Sequence, residues 1–153
     1  MTTMQRIKEQ SRIKAVQGFT LLELMVVMMI LGLLAAVVAP NVLQNQESAM
    51  IQKAKTDIAA LEQAMEMYKA DNFRYPTTDQ GLEALVIKPE SGPEPKNYKS
   101  QGYIKRLPTD PWGNEYQYLY PGEQGQIDIY SNGANGESGG EDSDTDIGNW
   151  DLG

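Results

Sequence analysis

The pattern of apolar and polar positions changes twice along the chain. Residues 19–39 are almost continuously apolar, with the single charge of Glu23. As a helix rising about 1.5 Å per residue, that block spans roughly 30 Å, the thickness of a bilayer core. A secretory signal has a shorter apolar core and a small-residue cleavage site after it, and this block has neither feature. After Pro40 the pattern becomes one-sided. Ile51, Ala54, Ile58, Leu61, Met65 and Tyr68 recur at spacings of three and four, while Lys53, Asp57, Glu62, Glu66 and Lys69 fall off the stripe. This predicts a helix with one apolar face. The stripe lasts under three heptads, so it is read as core-facing rather than as a coiled-coil seam. Pro40 itself predicts a kink or break, because it lacks an N–H and crowds the preceding turn.

The second helical stretch is expected to end near Asp71 and Asn72, where "FRYPTTDQG" begins. Thr78 or Asp79 is a candidate cap for a short helix in "DQGLEALV". "KPESGPEPKN" reads as loop. Asp110, Pro111, Trp112 and Gly113 supply a turn, and Trp112 is read as a packing residue. Tyr116, Tyr118 and Tyr120 alternate through a strand over 115–120, and Ile127 and Ile129 share a face of a return strand over 126–130. Residues 121–125 then connect a hairpin. The fold class is α+β, a long N-terminal helix packed on a small antiparallel sheet.

Charge sharpens this division. The formal net charge is −8, but residues 1–18 carry Arg6, Lys8, Arg12 and Lys14 against Glu9. A basic leader of net +3 thus precedes an apolar block and an acidic remainder of net −11. The basic side predicts a cytoplasmic N-terminus and an external C-terminal domain. The acidic balance excludes a nucleic-acid partner of the usual basic kind. With no Cys and no His, thiol nucleophiles, His bases, ordinary zinc sites and disulfides are all absent. Glu23 has two readings. Near the interface it can snorkel cheaply, or a partner charge compensates it, such as an N-terminal amine created by cleavage after Gly18.

"KAVQGFTLLELMVVMMILGLLAAVVAPN" resembles the N-terminal signal of type IV pilins and pseudopilins. The resemblance implies a leader of residues 1–18, cut by a prepilin peptidase between Gly18 and Phe19, with methylation of the new N-terminal Phe19. It implies that Glu23 pairs with the amine of a neighbouring subunit during assembly. Residues 19–39 are then a transmembrane helix that becomes the filament core, and residues 40–153 a periplasmic domain. "DNFRYPTTDQGLEALV", "GYIKRLPTDPWGNEYQY" and "DIGNW" extend the resemblance over nearly all of residues 15–152. Together they resemble the major pseudopilins of type II secretion systems. By resemblance, the partners would be further copies of the chain, minor pseudopilins and an inner-membrane assembly platform with its cytoplasmic ATPase.

From Glu137 to the C-terminus there are six acids and no base. One reading is a solvated tail. Against it, Ile147, Trp150 and Leu152 are apolar anchors that a tail does not need. If they dock, the intervening carboxylates crowd unless a cation sits among them. Asp142, Asp144 and Asp146 open like an EF-hand, but Ile147 stands where Gly is needed and no Glu closes the loop. The family resemblance implies one structural Ca2+ here, held by the main-chain oxygen of Asn132, the side chain of Asn135, and Asp144 and Asp146. Relatives usually have Asp where this chain has Asn135. A metal would close the loop as a disulfide does in other pilins.

The resemblance therefore implies a structural filament subunit, not an enzyme. No phosphate-binding G-x-x-x-x-G-K-[ST] stretch is present, and carboxylates such as Asp142 and Asp144 sit in a Gly-rich loop without a pocket signal. Two other readings stay open on the residues: a type IV pilus subunit, and a membrane-tethered monomer that binds calcium or carbohydrate.

Overall fold

The computed structural model describes residues 18–152, and for residues 39–43 the backbone alone. The leader residues 1–17 lie outside the described part. A single helix, α1, runs Leu21–Asn72. Contacts divide the chain into two units, Met1–Asn41 and Val42–Gly153.

In the first unit, the window Leu21–Val38 has a mean hydropathy of 2.8 and none of it is buried. A helix apolar on every side, as this one is, finds its low-energy surroundings in hydrocarbon. The window is long and apolar enough to cross a membrane. The backbone stays helical through Pro40, so the expected break does not occur. Proline removes one backbone donor, and the remaining bonds of a helix this long carry the chain past it.

The second unit is built on the stripe. Ala54, Ile58, Leu61, Met65 and Tyr68 are 0–2% exposed, and Ile51 is half-buried at the edge. Each fully buried large side chain contributes about 1.5–3 kcal/mol. Their partners are Leu82, Leu85, Tyr116, Tyr118, Ile127, Ile129 and Ile147, so the stripe faces the chain's own core as its periodicity predicts. The helix ends where the sequence places it. Asn72 is buried there: its Nδ2 donates to Tyr68 O (3.0 Å) and Tyr103 Oη (2.8 Å), and its Oδ1 accepts from Asn97 N (3.0 Å). Tyr68, Tyr98 and Tyr103 pack around it, with ring centroids 5.2–6.2 Å apart.

Beyond α1 the cap is Thr77, neither Thr78 nor Asp79. Its hydroxyl accepts from Gln80 N (3.2 Å), while Gln80 Oε1 accepts from Thr77 N (3.1 Å). The short helix is two 3-10 turns, Thr78–Gln80 and Leu82–Leu85, interrupted at Gly81 with φ 62°. Thr78 is occupied elsewhere: its hydroxyl donates to Tyr120 O (3.0 Å) and accepts from Tyr120 N (2.9 Å).

Three short strands form an antiparallel sheet among the described residues: β1 (Gln117–Leu119), β2 (Asp128–Ser131) and β3 (Ile147–Gly148), in that order. Tyr118 faces Ile129, and Ser131 faces Ile147. Tyr116 and Tyr118 are buried and Tyr120 half-buried, which is the predicted alternation. The ladder is shorter than the expected strands because Asp128 gathers the hairpin. Its buried carboxylate accepts from the backbone N–H groups of Glu123, Gln124 and Gly125 at 2.6–3.2 Å.

Burial disfavours the ionised phenols of this core. It pushes Tyr103 up to about 12 and raises Tyr116 and Tyr118 further. The unfolded chain ionises first, so stability should fall as pH rises from the ordinary tyrosine value of 10.0 through about 12. Denaturant unfolding at stepped pH, read with phenolate absorbance, checks this. Constant stability across that window would contradict buried, protonated phenols.

Candidate functional site

Two regions carry the residues singled out by the sequence. The first is the start of α1. Gly18 and Phe19 are exposed and precede the helix. A Cβ placed on Gly18 meets no atom within 4 Å, so the described fold has no steric need for glycine there. Thr20 caps α1: its hydroxyl accepts from Glu23 N (3.2 Å), and its carbonyl accepts from Leu24 N (3.2 Å). Glu23 therefore occupies the third helical position, where a carboxylate meets the positive end of the helix dipole. Its side chain forms no hydrogen bond or ion pair among the described residues. The spacing Thr20-x-x-Glu23 was the signal that could have revealed this cap.

The second region is the loop between β2 and β3, and it is assembled from the turn at residues 110–114. Asp110 is buried, 4% exposed. Its Oδ1 accepts from Trp112 N (3.0 Å) and Asn114 N (2.7 Å), and its Oδ2 accepts from Ser131 Oγ (2.6 Å). Ser131 Oγ in turn accepts from Gly133 N (3.1 Å), and Asn114 Nδ2 donates to Gly133 O (3.2 Å). The turn that reads as a packing feature thus fixes the first residues of the acidic loop.

The loop then closes on itself. Ala134 N donates to Ser143 O (2.8 Å). Gly133 has φ 68°, and a Cβ there would sit 2.6 Å from Ser143 O, so no other residue fits that approach. Asp146 Oδ2 accepts from Gly139 N (3.0 Å) and Ser138 Oγ (3.3 Å). Asn132 and Asp146 are half-buried, and each keeps one buried oxygen without a hydrogen-bond partner, Asn132 Oδ1 and Asp146 Oδ1. A buried oxygen left unpaired costs about 1–3 kcal/mol, and such oxygens are the donors that hard cations take. Asp144 is half-buried beside Gly133 and Gly140. Asn135 differs from the others: it is exposed, with Oδ1 accepting from Glu137 N (2.9 Å). Among the described residues, no group of three acidic side chains is placed to hold a metal. The oxygens left without a hydrogen-bond partner in this loop are thus one amide oxygen and one carboxylate oxygen.

Of the three C-terminal anchors, Ile147 joins the core and Leu152 packs against it while Trp150 stays exposed, and the segment is not a free tail. Ile147 is buried, while Trp150 is 40% exposed and lies against Tyr130 at 5.8 Å. Burial raises the Tyr130 phenol, and the nearby Asp146 charge adds to the effect. The residue that fastens the segment is one the sequence did not disclose. Asn149 Oδ1 accepts from Ile129 N (3.1 Å), and its Nδ2 donates to Ile127 O (3.0 Å) and to Glu62 Oε1 on α1 (3.0 Å).

Asp110→Ala should cost about 2–4 kcal/mol in urea unfolding, because three donors lose a buried charged acceptor. The same variant should be cut faster by protease within residues 132–146. Unaltered stability and cleavage would show that the turn does not hold the loop.

Residues 41–150 match the family model "Type II secretion system (T2SS), protein G", and residues 13–39 match the prokaryotic N-terminal methylation motif. A Vibrio cholerae serotype O1 protein named type II secretion system core protein G is 64% identical over 135 residues, covering 88% of this chain and 92% of that one. The Pseudomonas aeruginosa protein of the same name is 59% identical over 134 residues, covering 88% of this chain and 94% of that one. Among solved structures, the crystal structure of the major pseudopilin from the type 2 secretion system of enterohaemorrhagic Escherichia coli is similar. It matches with a TM-score of 0.66 at 54% identity, over 72% of this chain and 95% of that one.

Proposed function

The chain belongs to the type II secretion system protein G family, and we infer from this and from its N-terminal helix that it is a major structural subunit of the secretion pseudopilus. The observation that carries the reading is a helix apolar on all sides over Leu21–Val38, with one carboxylate, Glu23, in its first turn. A charge within a bilayer costs on the order of 3 kcal/mol at mid-depth, so a partner charge has a reason to be there. Cleavage between Gly18 and Phe19 supplies one as a new amine. Methylated Phe19 then begins the mature chain, and the amine of one subunit pairs with Glu23 of the next. Such a contact is head-to-tail and generates an open filament. Residues 19–39 form its core, and the Val42–Gly153 unit projects into the periplasm. Prepilin peptidase, minor pseudopilins and an inner-membrane platform with its ATPase are the partners this assembly requires. The chain is anchored in the inner membrane before it enters the filament.

The experiment uses membranes of a cell with its own prepilin peptidase. The wild-type mass should begin at Phe19 with one added methyl. Glu23→Ala should insert and be processed but fail to form filaments. Normal filaments from that variant would remove the role given to Glu23. A mass that retains residues 1–18 would favour the tethered monomer.

The acidic loop is read as a structural Ca2+ site. The support is the unpaired Asn132 Oδ1 and Asp146 Oδ1, the all-oxygen chemistry and Asp144 beside Gly133 and Gly140, although the oxygen expected of Asn132 was its main-chain one. Asn135 would join through its second lone pair. Bound calcium would offset the charge of the loop's carboxylates and close the loop without a disulfide. EGTA should lower the melting temperature of the full chain in detergent, and added calcium should restore it. At about 100 times Kd the gain is about 2.7 kcal/mol. A melting temperature indifferent to both would leave the loop closed by its own hydrogen bonds alone.

A further inference from the structure

The loop contains the dipeptide Asn-Gly twice, at 132–133 and 135–136. An asparagine followed by glycine can modify itself. The backbone nitrogen of the glycine attacks the side-chain amide carbon, and ammonia leaves. The resulting five-membered imide is opened by water at either carbonyl. Overall, the amide and one water become a carboxylate and ammonia, with aspartate or isoaspartate left in the chain. The reaction requires a free glycine N–H, room for the ring and access of water. The loop gives these conditions to one of its two sites and withholds them from the other.

At the first site the nucleophile is tied down. Gly133 is buried, and its N–H donates to Ser131 Oγ at 3.1 Å, a hydroxyl itself held by Asp110. Asn132 is half-buried, with Nδ2 donating to Gly136 O at 3.3 Å. At the second site Asn135 is exposed, and the Gly136 N–H makes no hydrogen bond among the described residues. The Glu137 N–H donates to Asn135 Oδ1 at 2.9 Å. That bond draws electron density from the amide carbon, and it stands ready for the oxyanion formed on attack. Nor can the fold exchange the glycine. Gly136 has φ 69°, and a Cβ there would lie 3.2–3.4 Å from the Asn114 side chain.

We propose that Asn135 is a self-modifying site, which deamidates in the folded chain and adds a carboxylate to the loop, while Asn132 is protected by the fold. This rests on the loop geometry and not on the calcium reading.

The test incubates the full chain in detergent at mildly alkaline pH, folded and in denaturant. Peptide mapping by mass spectrometry, with fragmentation that separates aspartate from isoaspartate, follows both asparagines. In the folded chain Asn135 should convert at least about tenfold faster than Asn132, a barrier difference of about 1.4 kcal/mol. In denaturant the two rates should converge. Asn135→Gln should abolish the loop's gain of acid. The proposal is overturned if folded Asn135 stays intact or if Asn132 converts as fast. The same holds if the rate ratio is unchanged in denaturant, or if the Gln variant still gains acid in this loop.

Discussion

The second unit depends on one contact surface, the stripe of α1 from Ala54 to Tyr68. Every other described element of that unit is short: four 3-10 turns, strands of two to four residues, and loops between them. None could stand alone, because a small sheet needs a third layer or a helix to bury its face. The helix supplies a preformed apolar surface. Tyr118, Ile127, Ile129 and Ile147 from all three strands and the hairpin end on it. A long helix is thus the template, and the sheet is the covering.

With the sheet so small, polar side chains take over work that longer ladders would do. Four buried or half-buried residues recur as junctions. Asn72 ties the helix end to residues 97 and 103. Asp110 ties a turn to β2. Asp128 gathers the hairpin. Asn149 ties β2 to α1. Each side chain satisfies several backbone groups at once, which is what a buried amide or carboxylate must do to be tolerated. In a chain with no cysteine, these junctions are the staples.

What was legible in the sequence follows from this division. Features set by local chemistry could be read directly: the apolar block, the stripe, the helix end at Asn72, the hairpin between the two strands and the docking of Ile147. Features set by a side chain's distant partner could not. Thr77 rather than Thr78 caps the 3-10 turn because Thr78 is engaged by Tyr120, 42 residues away. Ile147 and Gly148 form a strand without any alternation to announce it, because β2 offers them an edge. Asn149 looks like any polar residue until β2 and α1 are placed around it. In the loop, Asn132, Asn135, Asp144 and Asp146 were named as metal ligands through the family resemblance alone. The turn that organises them was visible only as a turn. At Pro40 the helix continues without the break that was one of the two expected outcomes, because proline removes a single backbone donor and leaves the other helical bonds in place.

The open space around Gly18 separates two kinds of selection. A methyl group there touches nothing in the described fold. Glu23 likewise adds no side-chain bond among the described residues. A survey of variants scored by folding alone would therefore find Gly18 silent and Glu23 worth no more than its place at the helix N-terminus, while filament assembly is the readout on which the roles proposed for both depend. The roles proposed for Gly18 and Glu23 thus rest on contacts beyond the described residues.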